Sequence, residues 1–149
     1  MKKFKFRYES VLKMRMDKEE EIKNNLAKLI SKKQSLLDDL EELNKGSAQY
    51  DAYITDVMST GTASGEFSKF ESGKKYYKDH RNRIKHNIQR VDEQIRLTQE
   101  ALVAAVKERK IMDKLKEKAF MEFVEAINVA DEKLIEEVVN FANNKKNGE

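Results

Sequence analysis

The sequence predicts an all-α chain, a long antiparallel two-helix coiled-coil hairpin whose second helix is the longer. Three observations predict it. Proline is absent from all 149 residues, where average usage would place about seven. Apolar side chains recur at alternating steps of four and three along most of the chain. A single short stretch, "MSTGTASGEFSK" at 58–69, gathers small hydroxyl residues around Gly61 and Gly65 and interrupts that recurrence.

The first helix is expected over about residues 5–59. Steps of four and three from Tyr8 give Tyr8, Leu12, Arg15, Glu19, Ile22, Leu26, Leu29, Lys33, Leu36, Leu40, Leu43, Ser47, Tyr50, Ile54 and Val57, of which eleven of fifteen are apolar. A stripe kept up over about seven heptads marks a coiled coil rather than an isolated amphipathic helix. The bend is expected at 60–66, with Gly61 and Gly65 supplying φ values that other residues avoid and Ser64 capping the incoming helix. The second helix, about 67–145, resumes the stripe at Phe70, Tyr77, Ile84, Ile88, Val91, Ile95, Thr98, Leu102, Ala105, Arg109 and Met112. Around Leu115–Phe120 the phase is expected to slip by one residue, a stutter, and to continue as Phe120, Val124, Ile127, Leu134, Val138 and Phe141. Pairs spaced four apart, Glu19 with Lys23, Glu41 with Lys45, Asp79 with Arg83 and Asp92 with Arg96, support helix weakly, at about 0.2–0.5 kcal/mol each. The whole of 1–149 reads as one coiled-coil domain.

A bend centred on Ala63 and Ser64 makes facing positions sum to about 127. Leu36 then faces Val91, Leu43 faces Ile84, and Tyr50 faces Tyr77. Charge agrees with that register. The acidic block Asp38, Asp39, Glu41 and Glu42 falls opposite the basic stretch 81–90, and the basic N-terminal segment falls beside the start of the acidic segment 119–142. The register also leaves about twenty residues of the second helix beyond the first, with Ile127, Leu134, Val138 and Phe141 still apolar. An uncovered stripe of this kind prefers a partner surface. Arg15, Glu19 and Arg109 interrupt the seam near the same end, either as long side chains reaching out to water or as partner contacts.

Several functions are argued against. A two-helix fold has little interior in which to converge catalytic groups, so the chain does not read as an enzyme. His80 and His86 are six apart, off metal-ligand spacing, and read as solvated surface groups. "GTASGEFS" and "SGKK" lack the residues of a phosphate loop. The net charge of +3 is too small to argue for nucleic acid, and the tyrosines and isoleucines interleaved in the basic stretch 74–90 are already used by the seam. No apolar run of membrane-spanning length occurs, and no cysteine is present, which fits a reducing compartment.

The opening "FKFRYESVLKMRMDKEEE", the central "YDAYITDVMSTGTASGEFSKF" and the later "ALVAAVKERKIMDKLKEKAF" resemble the flagellar export protein FliJ family, related to the stalk proteins of type III secretion. The resemblance implies a non-enzymatic, cytoplasmic component of the flagellar export apparatus with no cofactor. It sits at the inner membrane only through its partners. It implies that the two termini enter the hexameric ring of the export ATPase FliI and that the hairpin side engages the export gate protein FlhA, with export chaperones as further partners. On the ATPase side it points to Arg7, Arg15, Arg109, Ile127, Leu134, Val138 and Phe141. On the gate side it points to Leu43, Tyr50, Tyr77 and Ile84. A generic coiled-coil scaffold or chaperone unrelated to secretion is the alternative.

Overall fold

The computed structural model describes residues 2–61 and 64–148, and of residues 64 and 65 the backbone alone. Two helices carry nearly all of them, α1 (Glu9–Ser59, 51 residues) and α2 (Ser64–Asn147, 84 residues). They pack antiparallel as a helical hairpin, with no strand among the described residues.

The helix ends follow from local chemistry. α1 begins at Glu9 rather than near residue 5. Lys2, Lys3, Lys5 and Arg7 would otherwise crowd four cations onto the positive end of the helix dipole, whereas Glu9 places a carboxylate there. The Glu9 amide donates to the Phe6 carbonyl at 3.2 Å and the Leu12 amide to the Tyr8 carbonyl at 3.0 Å, which closes the first turn. At the other end the hydroxyls of Ser59 and Thr60 donate to the carbonyls of Asp56 and Val57 at 2.7 and 2.8 Å. The Gly61 amide donates to the Met58 carbonyl, and Gly61 itself has φ of 76°. The hydroxyl-rich stretch therefore satisfies the last carbonyls of α1, and Gly61 makes the left-handed turn. The Ser64 hydroxyl, expected as the cap of α2, and Gly65 lie outside the described side chains.

The chain divides into two compact units, Met1–Glu20 with Ala104–Glu149, and Glu21–Val103. In the second of these, which contains the bend, the seam is mostly apolar. Ile54, Phe70, Ile84 and Val91 are buried, and Ile22, Leu26, Leu29, Leu36, Leu40 and Leu43 are half-buried beside them. Lys33 pairs with Asp92 across the seam at 2.7 Å. Arg81 donates to the Asn44 side chain at 2.8 Å and to the Ser47 hydroxyl at 3.1 Å. Arg96 pairs with Glu93 and Glu100 on its own helix, while Asp92 is engaged by Lys33. Glu41 and Lys45 pair as their spacing suggests, at 3.4 Å.

In the first unit Leu12, Ala105 and Met112 are buried together with Glu19. The expected stutter does not occur. Beyond Met112 the covered face runs on in phase through Lys116, Ala119 and Phe123, while Phe120 and Val124 are exposed. The cause lies at the N-terminus, where Phe4 sits between the rings of Phe120 and Phe123 at 5.3 and 5.5 Å. A non-helical aromatic strap, not a second helix, covers this part of α2. From residue 124 to 148 every described position is exposed.

Candidate partner-binding surfaces

The first unit carries two adjoining surfaces. One is a groove of about 680 Å³ between residues 2–8 and α2. Phe4, Phe6, Leu115, Ala119 and Phe123 give it an apolar lining, and Lys2, Lys3, Lys5, Arg7 and Lys118 surround it with positive charge. The Phe6 and Tyr8 rings meet edge to face at 5.9 Å, and the Arg7 guanidinium lies over the Tyr8 ring at 5.5 Å. Arg7 is thus held by a cation–π contact at the groove edge. Lys116 pairs with Glu9 at 2.9 Å, which ties the start of α1 to α2 beside it.

The second surface is the bare end of α2. Leu134, Val138 and Phe141 are 60, 62 and 72% exposed, and Ile127 is 41% exposed. Helical spacing gathers these four on one side of α2. They form a run of uncovered apolar side chains at the end of α2.

The charged residues of the seam behave differently from the two readings open to them in the sequence. Arg15 bonds Glu108 at 2.6 Å, and its Nε is buried without a hydrogen-bond partner. Arg109 donates from Nε to the Glu19 carboxylate and from a terminal nitrogen to Asp113 at 2.5 Å. The Glu19 side chain is only 7% exposed and that of Arg109 26%. Hydrogen bonds from Arg109 to Glu19, and then to Asp113, raise the guanidinium above its ordinary pKa, so it stays charged. Arg15, Glu19 and Arg109 therefore make ion pairs within the unit, Arg15 with Glu108 and Arg109 with Glu19 and Asp113. Asp113 and Glu108 were not singled out in the sequence, although Glu108 sits beside Arg109, and Asp113 four residues beyond it.

In the second unit the four residues Leu43, Tyr50, Tyr77 and Ile84 come together on the seam. Ile84 is 6% exposed. The Tyr50 and Tyr77 rings lie 5.5 Å apart, and the Tyr50 hydroxyl donates to the carbonyls of Lys69 and Phe70 at 3.4 Å. Each tyrosine rests on a glycine of the opposite helix. A Cβ on Gly73 would lie 2.0 Å from the Tyr50 oxygen, and one on Gly46 would lie 3.6 Å from the Tyr77 ring. The sequence signal for this reciprocal arrangement exists: Gly46 precedes Tyr50, and Gly73 precedes Tyr77, by four residues each. Beside it a groove is lined by Leu36, Asp39, Leu43, Tyr76, Tyr77 and His80. His80 is half-buried against Tyr76 at 5.8 Å with Nδ1 buried and unpartnered, not a solvated surface group.

Neither unit offers, among the described residues, a group of three His, Cys, Asp or Glu able to hold a metal ion. No described helix is long and apolar enough to cross a membrane. What both units offer is partly covered apolar surface edged by charge. The family of flagellar FliJ proteins matches residues 4–148, nearly the whole chain. The chain belongs to the FliJ family. The match includes Phe4 and Phe6 of the aromatic strap, both glycine–tyrosine contacts and the bare end of α2, while Lys2 and Lys3 at the groove edge precede it. No curated protein and no solved structure matches the chain.

Proposed function

We propose that the chain is a non-enzymatic component of the flagellar protein-export apparatus, a stalk-like coiled coil that binds the ring of the export ATPase FliI and couples it to the export gate FlhA. FliJ membership supports the export role. The observation that carries the ATPase contact is the exposed apolar end of α2, Ile127, Leu134, Val138 and Phe141. Burying that stripe against a protein partner is favourable at about 25 cal/mol per Å² of apolar surface removed from water. Arg7, at the edge of the neighbouring groove, is free to join the contact with its outer face. Arg15 and Arg109 act by holding the seam beneath it rather than by touching the ring. The gate contact falls on the groove lined by Leu43, Tyr77 and Ile84, with Tyr50 packed against Tyr77 beside it. On this reading the chain works in the cytoplasm, is held at the inner membrane by its partners, and also receives export chaperones.

The test is binding of the purified full chain to purified export ATPase and, separately, to the gate protein. Capture of both is expected, with Leu134→Asp and Phe141→Asp together weakening only the ATPase interaction. Binding to neither, with no effect on ATPase ring assembly, would overturn the reading in favour of a general coiled-coil scaffold.

A further inference from the structure

The covered face of α2 reaches Phe123 and then runs on, in phase, with nothing over it. Helical spacing puts Ala126, Ile127, Ala130, Leu134 and Phe141 on its continuation, with Val138 at one flank. The small side chains of Ala126 and Ala130 allow another helix to approach closely. Asp131 and Glu137 border the same stripe, and residues 124–142 carry Glu125, Asp131, Glu132, Glu136 and Glu137 against Lys133 alone. The aromatic groove beside it has the opposite charge, with Lys2, Lys3, Lys5, Arg7 and Lys118 against Glu122.

These complementary surfaces cannot meet within one chain. Residues 115–123, which form one wall of the groove, and residues 127–141 belong to a single unbroken helix. Bringing one onto the other would require α2 to break and reverse, and no proline or glycine lies between them. A second copy meets no such obstacle.

We propose that two copies of the chain associate tail to tail, the bare apolar stripe of each α2 lying on the basic aromatic groove of the other. The contact is isologous, so it closes as a dimer rather than growing into a filament. Charge selects this arrangement over a simple pairing of the two bare ends. That pairing would set Asp131 and Glu137 of both copies against each other, whereas the groove meets them with lysine. The proposal stands on the two surfaces and not on the ATPase reading. Where that reading also holds, the ring and the second copy compete for one end of the chain.

The experiment is sedimentation of the full chain over a range of concentration and salt. The expected result is a mass of twice 17.4 kDa, falling toward the monomer as salt screens the contact over a Debye length of about 8 Å at physiological ionic strength. Two full-length variants sharpen it. Lys3→Glu with Lys5→Glu reverses the groove, and Asp131→Lys with Glu137→Lys reverses the stripe. All four side chains are exposed, so helicity by circular dichroism should be unchanged. Each variant alone should be monomeric, and an equimolar mixture should restore the dimer because reversed groove then meets reversed stripe. A chain monomeric at every concentration, a dimer indifferent to both variants, or a mixture that stays monomeric would each overturn the proposal. A monomer that instead binds an unrelated acidic amphipathic helix would also overturn it.

Discussion

The two units solve the problem of a thin interior in different ways. Around the bend, the seam is apolar and tightly fitted, with Tyr50 and Tyr77 each set on a glycine of the opposite helix. Toward the termini, the seam is charged, with Glu19 bonded across it to Arg109, which also holds Asp113 on its own helix, and beyond Phe123 it is uncovered. A closed apolar contact fixes register, because large rings and missing side chains fit in only one alignment. The charged contact pairs Glu19 with Arg109 within the seam, and the apolar surface beyond Phe123 is left uncovered.

Substitutions that treat the two regions alike should therefore give unlike results. The largest difference is expected from truncating one aliphatic side chain in each. Ile84→Ala removes a buried side chain and should destabilise the fold by about 2–5 kcal/mol, whereas Leu134→Ala, on the bare end, should stay within about 0.5 kcal/mol. Urea unfolding monitored by circular dichroism measures both. The next largest comes from the glycines. Gly73→Ala forces the Tyr50 ring from its seat, since the new Cβ would lie 2.0, 2.4 and 2.8 Å from three of its atoms, and should cost about 1–3 kcal/mol. Gly46→Ala meets Tyr77 only at ordinary contact distance, so the gain in helix propensity should dominate and stabilise by about 0.5–1 kcal/mol. Opposite signs at two glycines that look equivalent in sequence would confirm the tyrosine seat; equal signs would refute it.

A smaller contrast concerns the charged seam. Glu19→Ala leaves Arg109 with Asp113 alone and should lower the midpoint of thermal unfolding by several degrees. Replacing both Glu19 and Arg109 by leucine should restore that midpoint or raise it, because two desolvated charges give way to apolar packing. If the double variant is worse than the single, the pair contributes more than its mutual compensation.

Much of the fold was legible in the sequence because a coiled coil writes its register as a period. Every seam position named on α1 from Leu12 to Val57, and on α2 from Phe70 to Met112, is buried or half-buried. Cross-seam contacts such as Tyr50 with Tyr77 agree with the expected alignment. The period was misleading where helix packed against something other than helix. Phe4 reaches α2 from an extended segment, so the slip read at Leu115–Phe120 reflected exposed residues with no partner helix to enforce phase. Pairings of charge were legible only in blocks. Acidic and basic stretches indicated which segments are neighbours, but long side chains choose partners by local geometry, as Asp92 does in taking Lys33 over Arg96. Leu43, Tyr50, Tyr77 and Ile84 come together on the seam, whereas Arg15 and Arg109 pair within it and Ile127, Leu134, Val138 and Phe141 are exposed.

The central claim is that the bare end of α2, rather than the fitted seam around the bend, is where the chain takes the export ATPase. Amide hydrogen exchange along α2, at a concentration where the chain is monomeric, tests it most directly. Residues 70–112 should exchange slowly with or without export ATPase, while residues 127–141 should exchange fast alone and become protected when ATPase is added. Protection of residues 127–141 that does not change on adding ATPase would contradict the account.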